Sequence, residues 1–360
     1  MKSLSVCLIV RDEEKCLENC LKSVSSFADE IVVVDTGSVD RTEEIARRYT
    51  DKVARFAWCD DFAKARNYSF SLATCDYIMW IDADDIVLDA DAKKIIEFKN
   101  SNTAPDVLML KYVTAFSPDY KSEFSFYRER IVKRSMGFKW QDPVHEVITP
   151  RGQIEYMDIS IYHNKKKAGG VNPRNLRIYQ SYISAGNKLS PRQQFYYARE
   201  LYYNDKIDKA IGEFNKFLSS GQGWVENNIE ACLNLGKCYE LKGDYDKALT
   251  TLFGSFCLGA PRGEIICEIG SILILLKRFD EAMLWFRLAK RVKPKLKTGA
   301  FVIDDMYDFI PNLQLCVCYY NKGKLKLAEY YHKKCKAQKP QHPSVIHNEK
   351  YFNSIKNKEL

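Results

Sequence analysis

Short apolar runs alternate with amphipathic stretches through the first third of this 360-residue chain. Leu4–Val10 is apolar apart from Ser5 and reads as a strand. Leu17, Cys20, Leu21 and Val24 then fall at i, i+3, i+4 and i+7, the stripe of an amphipathic helix. Residues 31–34 are a second, fully apolar strand, and Asp40-Arg41-Thr42-Glu43 has the form of a capping box opening a helix through Tyr49. A strand over residues 53–56, a helix over 62–73 and a strand over 77–81 follow. Continuous apolar strands alternating with helices predict a mostly parallel sheet covered on both faces. Such sheets receive ligands outside the carboxyl ends of their strands, so those ends are where chemistry is expected. Between Lys111 and His163 the pattern changes to shorter strands rich in aromatics and arginine. Residues 165–173 then bring charge, glycine and proline together and mark a boundary.

From about Ser190 the grammar is helical and repetitive. Aligned on Ala210, Ala248, Ala282 and Ala328, the residues twelve positions earlier are all small: Ala198, Gly236, Gly270 and Cys316. Nine positions earlier stand Leu201, Tyr239, Leu273 and Tyr319, all large. Small residues at fixed positions let paired helices approach closely, and large ones fill the gaps between pairs. The pattern resembles the tetratricopeptide repeat, in four copies spaced 38, 34 and 46 residues apart, against the usual period of about 34. An insertion near residues 295–308 accounts for the last spacing. The expected organisation is an α/β domain over 1–168, a linker or connecting helix over 169–190, all-α repeats over 191–345 and a tail over 346–360.

Composition narrows the class. Apolar residues make up 46% and charged residues 28%, which excludes a disordered, collagen-like or coiled-coil chain. The longest strongly apolar stretch, near residues 265–276, is broken by Glu268 and Gly270 and falls short of the roughly 20 residues that cross a bilayer. The first apolar run lacks a small-residue cleavage site and reads as a strand, not a signal peptide. Twelve scattered cysteines without a CxxC pair read as reduced, so a cytoplasmic protein is expected. The net charge of +8 is spread along the chain and forms no nucleic-acid stripe.

Four stretches carry candidate chemistry. Asp35-Thr36-Gly37-Ser38 puts a carboxylate and a glycine turn at a strand end, where it suits either a base or ribose, or a turn capping the next helix. Asp82-Ala83-Asp84-Asp85 follows another strand; two carboxylates one residue apart there can meet a hard divalent cation, or form a solvated acidic turn. Arg66 sits on the helix between those strands, within reach of phosphate or base. Trp140-Gln-Asp-Pro-Val-His-Glu146 and His163 add carboxylates suited to a general base and a histidine suited to a metal shell.

Val10-Arg-Asp-Glu-Glu14, DEIVVVDTGSVDRT, DDFAKARNYS and ATCDYIMWIDADD occur in an order and spacing that resemble family 2 glycosyltransferases of GT-A fold, over about residues 3–165. The VHE segment and the later histidine look like the subgroup related to lipopolysaccharide-core glucosyltransferases. A GT-A domain followed by repeats further resembles bacterial peptide and protein glycosyltransferases, including those that modify cysteine in glycosylated bacteriocins. The resemblance implies a Rossmann-like GT-A domain and an inverting, Mn²⁺- or Mg²⁺-dependent transfer from a UDP-sugar. The implied acceptor is a Ser, Thr or Cys side chain of a peptide or protein; a cell-surface glycan and a non-catalytic repeat scaffold are the alternatives. It further implies that Arg11, Glu13, Asp35, Thr36 and Arg66 line the nucleotide pocket. Asp82 and Asp84 match the DXD motif, with Asp84 and His163 as metal ligands beside Asp82, and Glu146 or Asp142 as the base. The repeats would hold the acceptor; the competing use is self-association into a homodimer through exposed aromatics such as Tyr196, Tyr197, Tyr202 and Tyr203.

Overall fold

The apolar runs become strands buried on both faces, and the computed structural model shows how they are ordered. It describes residues 1–117, 120, 122–164, 173–294, 299 and 301–356. The chain divides into two units, Met1–Leu189 and Ser190–Leu360. The first runs β1 (Leu4–Val10), α1 (Leu17–Val24), β2 (Glu30–Asp35), α2 (Thr42–Arg47), β3 (Val53–Arg55), α3 (Phe62–Ser71), β4 (Tyr77–Trp80) and β5 (Asp85–Val87). It continues through α4 (Asp89–Asn100), β6 (Val107–Phe116), β7 (Ser122–Lys133), β8 (Trp140–Gln141), β9 (Val147–Ile148), β10 (Ile154–His163) and α5 (Arg174–Ser184).

The main sheet runs β3-β2-β1-β4-β7-β6-β10-β5. Its first four strands are parallel, as expected. Beyond β4 it is mixed: β4–β7, β7–β6 and β5–β10 pair antiparallel, and only β6–β10 is parallel. Only five residues separate β6 from β7, too few for the dozen or more that a parallel crossover needs. The aromatic strands are also long, at 10, 12 and 10 residues for β6, β7 and β10, not short as the pattern suggested. Leu4, Val6, Leu8 and Val10 face a layer containing α1, α2 and α4, while Cys7, Val32 and Val34 face α3. Because β1 sends its chain first to β2 and later to β4 on its other side, a crevice opens at their carboxyl ends.

Asp40 does not cap α2 as a box. The helix starts at Thr42, and the Asp40 carboxylate accepts the N–H groups of Thr42 and of Glu14, at 2.9 and 3.1 Å. Glu43 turns instead to Arg47 and Arg55. The bond from Glu14 thereby ties the loop after β1 to the start of α2.

The second unit is a set of helix pairs: α6 (Pro191–Tyr203) with α7 (Ile207–Ser219), α8 (Val225–Leu241) with α9 (Tyr245–Gly254), α10 (Gly263–Leu275) with α11 (Phe279–Ala289) and α12 (Phe309–Asn321) with α13 (Leu325–Gln338). Ser190 and Gln193 form a complete capping box at the first helix. Ala210, Ala248, Ala282 and Ala328 are fully buried on the second helix of each pair. Five residues before each alanine, Asp205, Gly243, Lys277 and Gly323 take φ between 56° and 74°. The next N–H donates to Leu201, Tyr239, Leu273 or Tyr319, at 2.8 to 2.9 Å. This is the Schellman closure of a helix, with its large residue at the accepting position.

A last helix, α14 (Pro343–Lys356), occupies most of the expected tail over 346–360. Residues 165–172, where the boundary was placed, and 295–298 and 300 of the expected insertion lie outside the described residues. The described part of the expected connection over 169–190 contains α5, which belongs to the first unit. Of the four tyrosines expected at the surface, Tyr203 is exposed at 49% whereas Tyr196 is buried, although Arg199 stacks against both rings. All twelve cysteines are free. No helix among the described residues is long and apolar enough to cross a membrane.

A Cβ at Gly270 would stand 2.6 Å from Phe286 Cζ, so these helices touch only because the side chain is absent. Gly270→Ala should cost about 1–2 kcal/mol net, overpacking outweighing the gain in helix propensity. Gly212→Ala, whose Cβ meets nothing within 4 Å, should instead stabilise by up to ~1 kcal/mol; denaturant melts check both. Lys277 holds a left-handed conformation with φ 58°, so Lys277→Gly should raise stability by about 0.5–1 kcal/mol in the same melts.

Candidate active site

The carboxyl ends of β1 and β4 open on a cavity of about 420 Å³. α3 organises one side of it. Asp61 caps the helix by accepting the Lys64 N–H at 2.9 Å. The Phe62 N–H donates to the Pro143 carbonyl at 2.8 Å, and the Asn67 side chain brackets Trp140, donating to its carbonyl and accepting its N–H at 3.0 and 2.9 Å. Residues 140–146 are thus laid along α3, and Glu146 arrives beside Arg66.

Arg66 is the hub. Its Nε donates to Glu146 Oε1 at 2.6 Å and its Nη2 to Asp82 Oδ1 at 2.7 Å. Trp80 and Trp140 flank the guanidinium, with ring centroids 5.0 and 4.9 Å away. Burial alone would lower the Arg66 pKa; Asp82 and Glu146 outweigh it and raise the value. Asp82 shows the converse: burial pushes its carboxyl up, but Arg66 and then Arg130 bring it down to about 2.

The second group is assembled by strand pairing. β5 and β10 run antiparallel with Asp85 opposite His163, and the Asn164 N–H donates to the Asp84 carbonyl at 2.8 Å. His163 Nδ1 then lies 3.3 Å from Asp84 Oδ1 and 3.2 Å from Asp85 Oδ1. One ligand atom from each of Asp84, Asp85 and His163 lies within 4.8 Å of the others. Two carboxylate oxygens and an imidazole so close together could hold a metal ion. Behind them, Tyr112 donates to Asp85 Oδ1 at 3.0 Å and sits 2.9 Å from His163 Nδ1, and fully buried Arg130 donates to Asp85 Oδ2 at 3.2 Å. Burial pulls the His163 pKa down, yet its bonds to Asp84 and Asp85 carry it up to about 10. Asp85 is raised by burial, with Arg130 opposing.

The expected DXD pair separates. Asp84 joins Asp85 and His163, whereas Asp82 is engaged by Arg66, because the chain turns between them: the Asp85 N–H donates to the Asp82 carbonyl at 3.0 Å. Arg11, Glu13, Thr36, Arg66, Asp82, Asp84, Glu146 and His163 all line the cavity; Asp35 and Asp142 do not. Asp35 Oδ1 accepts the N–H groups of Gly37 and Ser38, both at 2.8 Å, closing a turn whose Gly37 has φ 108°. Asp142 sits at φ 72° in the segment leading to Glu146. Phe62, inside the DDFAKARNYS stretch, also lines the cavity, as do Trp58, Tyr112, Arg128, Arg174 and Arg177, which no linear motif marked. For Tyr112 and Arg128 the signal was the density of aromatics and arginine in β6 and β7.

Residues 5–154 match the family model Glycosyl transferase family 2, and residues 229–252 and 263–296 match the Tetratricopeptide repeat model. A TPR repeat-containing protein of Synechococcus elongatus is 34% identical over 149 residues, 41% of this chain and 36% of that protein. The SPbeta prophage-derived glycosyltransferase SunS of Bacillus subtilis is 24% identical over 236 residues, 59% of this chain and 52% of that protein. The chain thus spans about a third to a half of the length of these relatives. Among solved structures, S. aureus TarS 1-349 in complex with UDP-GlcNAc aligns over 95% of this chain and 93% of that chain, at 13% identity and a TM-score of 0.38.

Tyr112→Phe keeps the ring that packs on Phe126 and His163 and removes only the hydroxyl. Mn²⁺ affinity, read by calorimetry, should fall about 10- to 100-fold with the melting temperature nearly unchanged.

Proposed function

We propose that this chain, a family 2 glycosyltransferase domain followed by tetratricopeptide repeats, moves a sugar from a UDP-sugar to a Ser, Thr or Cys side chain of a peptide or protein, with inversion at the anomeric carbon. The observation that carries this reading is the meeting of two groups on one cavity: the Asp84–Asp85–His163 donor set and the Glu146 carboxylate held by Arg66. That the Bacillus subtilis relative is named a glycosyltransferase supports it.

Asp84 and His163, with Asp85 behind them, would hold Mn²⁺ or Mg²⁺. When bound, the cation would supply positive charge for the diphosphate of the departing UDP. Glu146 would take the proton of the attacking hydroxyl or thiol as that atom displaces UDP from the anomeric carbon in one step. Arg66 orients the carboxylate through Oε1, which leaves its second oxygen for the acceptor's proton. Arg11 and Glu13 after β1, and Thr36 after β2, would receive the nucleoside; the Thr36 hydroxyl is anchored on the Val10 carbonyl at 3.0 Å. Asp35 would act from behind, by closing the turn that follows Thr36. The repeats would bind the acceptor, since stacked helix pairs offer a surface suited to an extended or helical segment.

The test is turnover of UDP-sugars by the full chain with Mn²⁺ and peptide acceptors, read as UDP release and acceptor mass. Glu146→Gln should still bind UDP but transfer roughly 10²–10⁴ times more slowly, and Asp84→Ala should lose the cation requirement along with most of its activity. Failure of the wild-type chain to turn over any UDP-sugar, or full activity of Asp84→Ala in chelator, overturns the reading.

A further inference from the structure

The cavity has a wall that lies past the end of the family match. α5 contributes Arg174, Asn175 and Arg177 to the lining, beginning twenty residues beyond residue 154, where the match stops. The Arg174 guanidinium rests 4.7 Å over the ring of Phe62, itself a lining residue, and this stack sets the plane of the group. Arg177 leans on Asp60 at 3.1 Å, and Arg11 comes from the loop after β1. Although the outer part of Arg174 reaches solvent, the protein packed around it lowers its pKa, with Arg177 and Arg11 adding to the effect and Glu146 and Glu13 opposing it. Three guanidinium groups therefore line a cavity that also holds the Asp84–His163 carboxylate and imidazole.

That division of charge has a chemical reading. Arg66 is committed to Asp82 and Glu146, and Arg130 to Asp85. An anion with several oxygens can meet both a cation at Asp84 and His163 and guanidinium N–H groups lining the same cavity. A planar guanidinium takes two oxygens of a phosphate in parallel, which an ammonium cannot. We propose that Arg174, with Arg11 and Arg177 lining the same cavity, binds the diphosphate of the nucleotide-sugar donor. The inference rests on the nucleotide-sugar reading above. It makes α5 part of the donor site, so residues 1–168 do not hold the donor by themselves.

Calorimetry on the full chain with Mn²⁺ tests it, using UDP, uridine and inorganic pyrophosphate as probes. Arg174→Met should weaken UDP and pyrophosphate roughly ten- to hundredfold, as for loss of a charge-assisted hydrogen bond. Uridine and Mn²⁺ affinity should stay unchanged, and Arg174→Lys should recover part of the loss. Unchanged UDP affinity in Arg174→Met overturns the proposal and leaves the nucleotide-sugar reading standing. So does a loss that is equal for uridine and UDP, since that marks a packing role on Phe62. Arg174-dependent binding of pyrophosphate without any binding of UDP defeats the nucleotide reading and upholds the anion wall. A wild-type chain that binds neither probe defeats both.

Discussion

Arg66 joins two carboxylates that arrive by separate routes, Asp82 from the turn after β4 and Glu146 from the segment laid along α3. All three side chains are largely withdrawn from water, with Arg66 at 8%, Glu146 at 14% and Asp82 at 30% exposure. Removing the guanidinium would leave two like charges facing one another, and breaking a buried pair typically costs about 3–5 kcal/mol. The two tryptophan faces add attraction and keep water off the bonds. The same cation fixes two of the carboxylates that line the cavity. The site's shape is thus set by one side chain and the helix that carries it, and Asn67 and Phe62 of that helix hold the Glu146 segment through the backbone.

The parts of this arrangement that were legible in the sequence are the local ones. β1, α1, β2, α3 and β4 fall where the apolar runs and stripes placed them, because both faces of those strands and one face of those helices are buried by layers nearby in the chain. Asp84, Arg66, Glu146 and His163 were visible as chemistry-bearing residues in motifs. Their partners were not. Asp85 meets His163 through an antiparallel register across 78 residues, and nothing in either segment states which strand it will pair with. Asp35 had two readings open, a contact to the nucleotide or a turn, and its bonds to Gly37 and Ser38 fill the second. Parallel order failed beyond β4 because a short connection forces reversal, whatever the apolar pattern of the strands.

In the helical unit the legible signal was volume. Gly236 and Gly270 lie against Leu252 and Phe286, which stand four residues after the aligned alanines. The turn conformation was not legible: two of the four left-handed positions are glycine, while Asp205 and Lys277 occupy the same place. The Schellman bonds and the buried face determine that conformation, and the residue tolerates it. The family model matches only residues 229–252 and 263–296, although four helix pairs share one register.

The position of the Asp84–Asp85–His163 cluster within the sheet has a consequence of its own. β5 is only three residues long and forms one edge of the main sheet, held by a single neighbour, β10. Short strands at an edge fray first, since half of their backbone groups find no partner within the sheet. Asp84 and Asp85 stand at the start of that strand and His163 at the end of the strand beside it. A cation bridging them would act as a rivet on an edge seam of the domain, and its affinity and the closure of that seam would be one free energy seen from two places. A donor that brings its metal along would then tighten the sheet as it binds, and a departing product would loosen it.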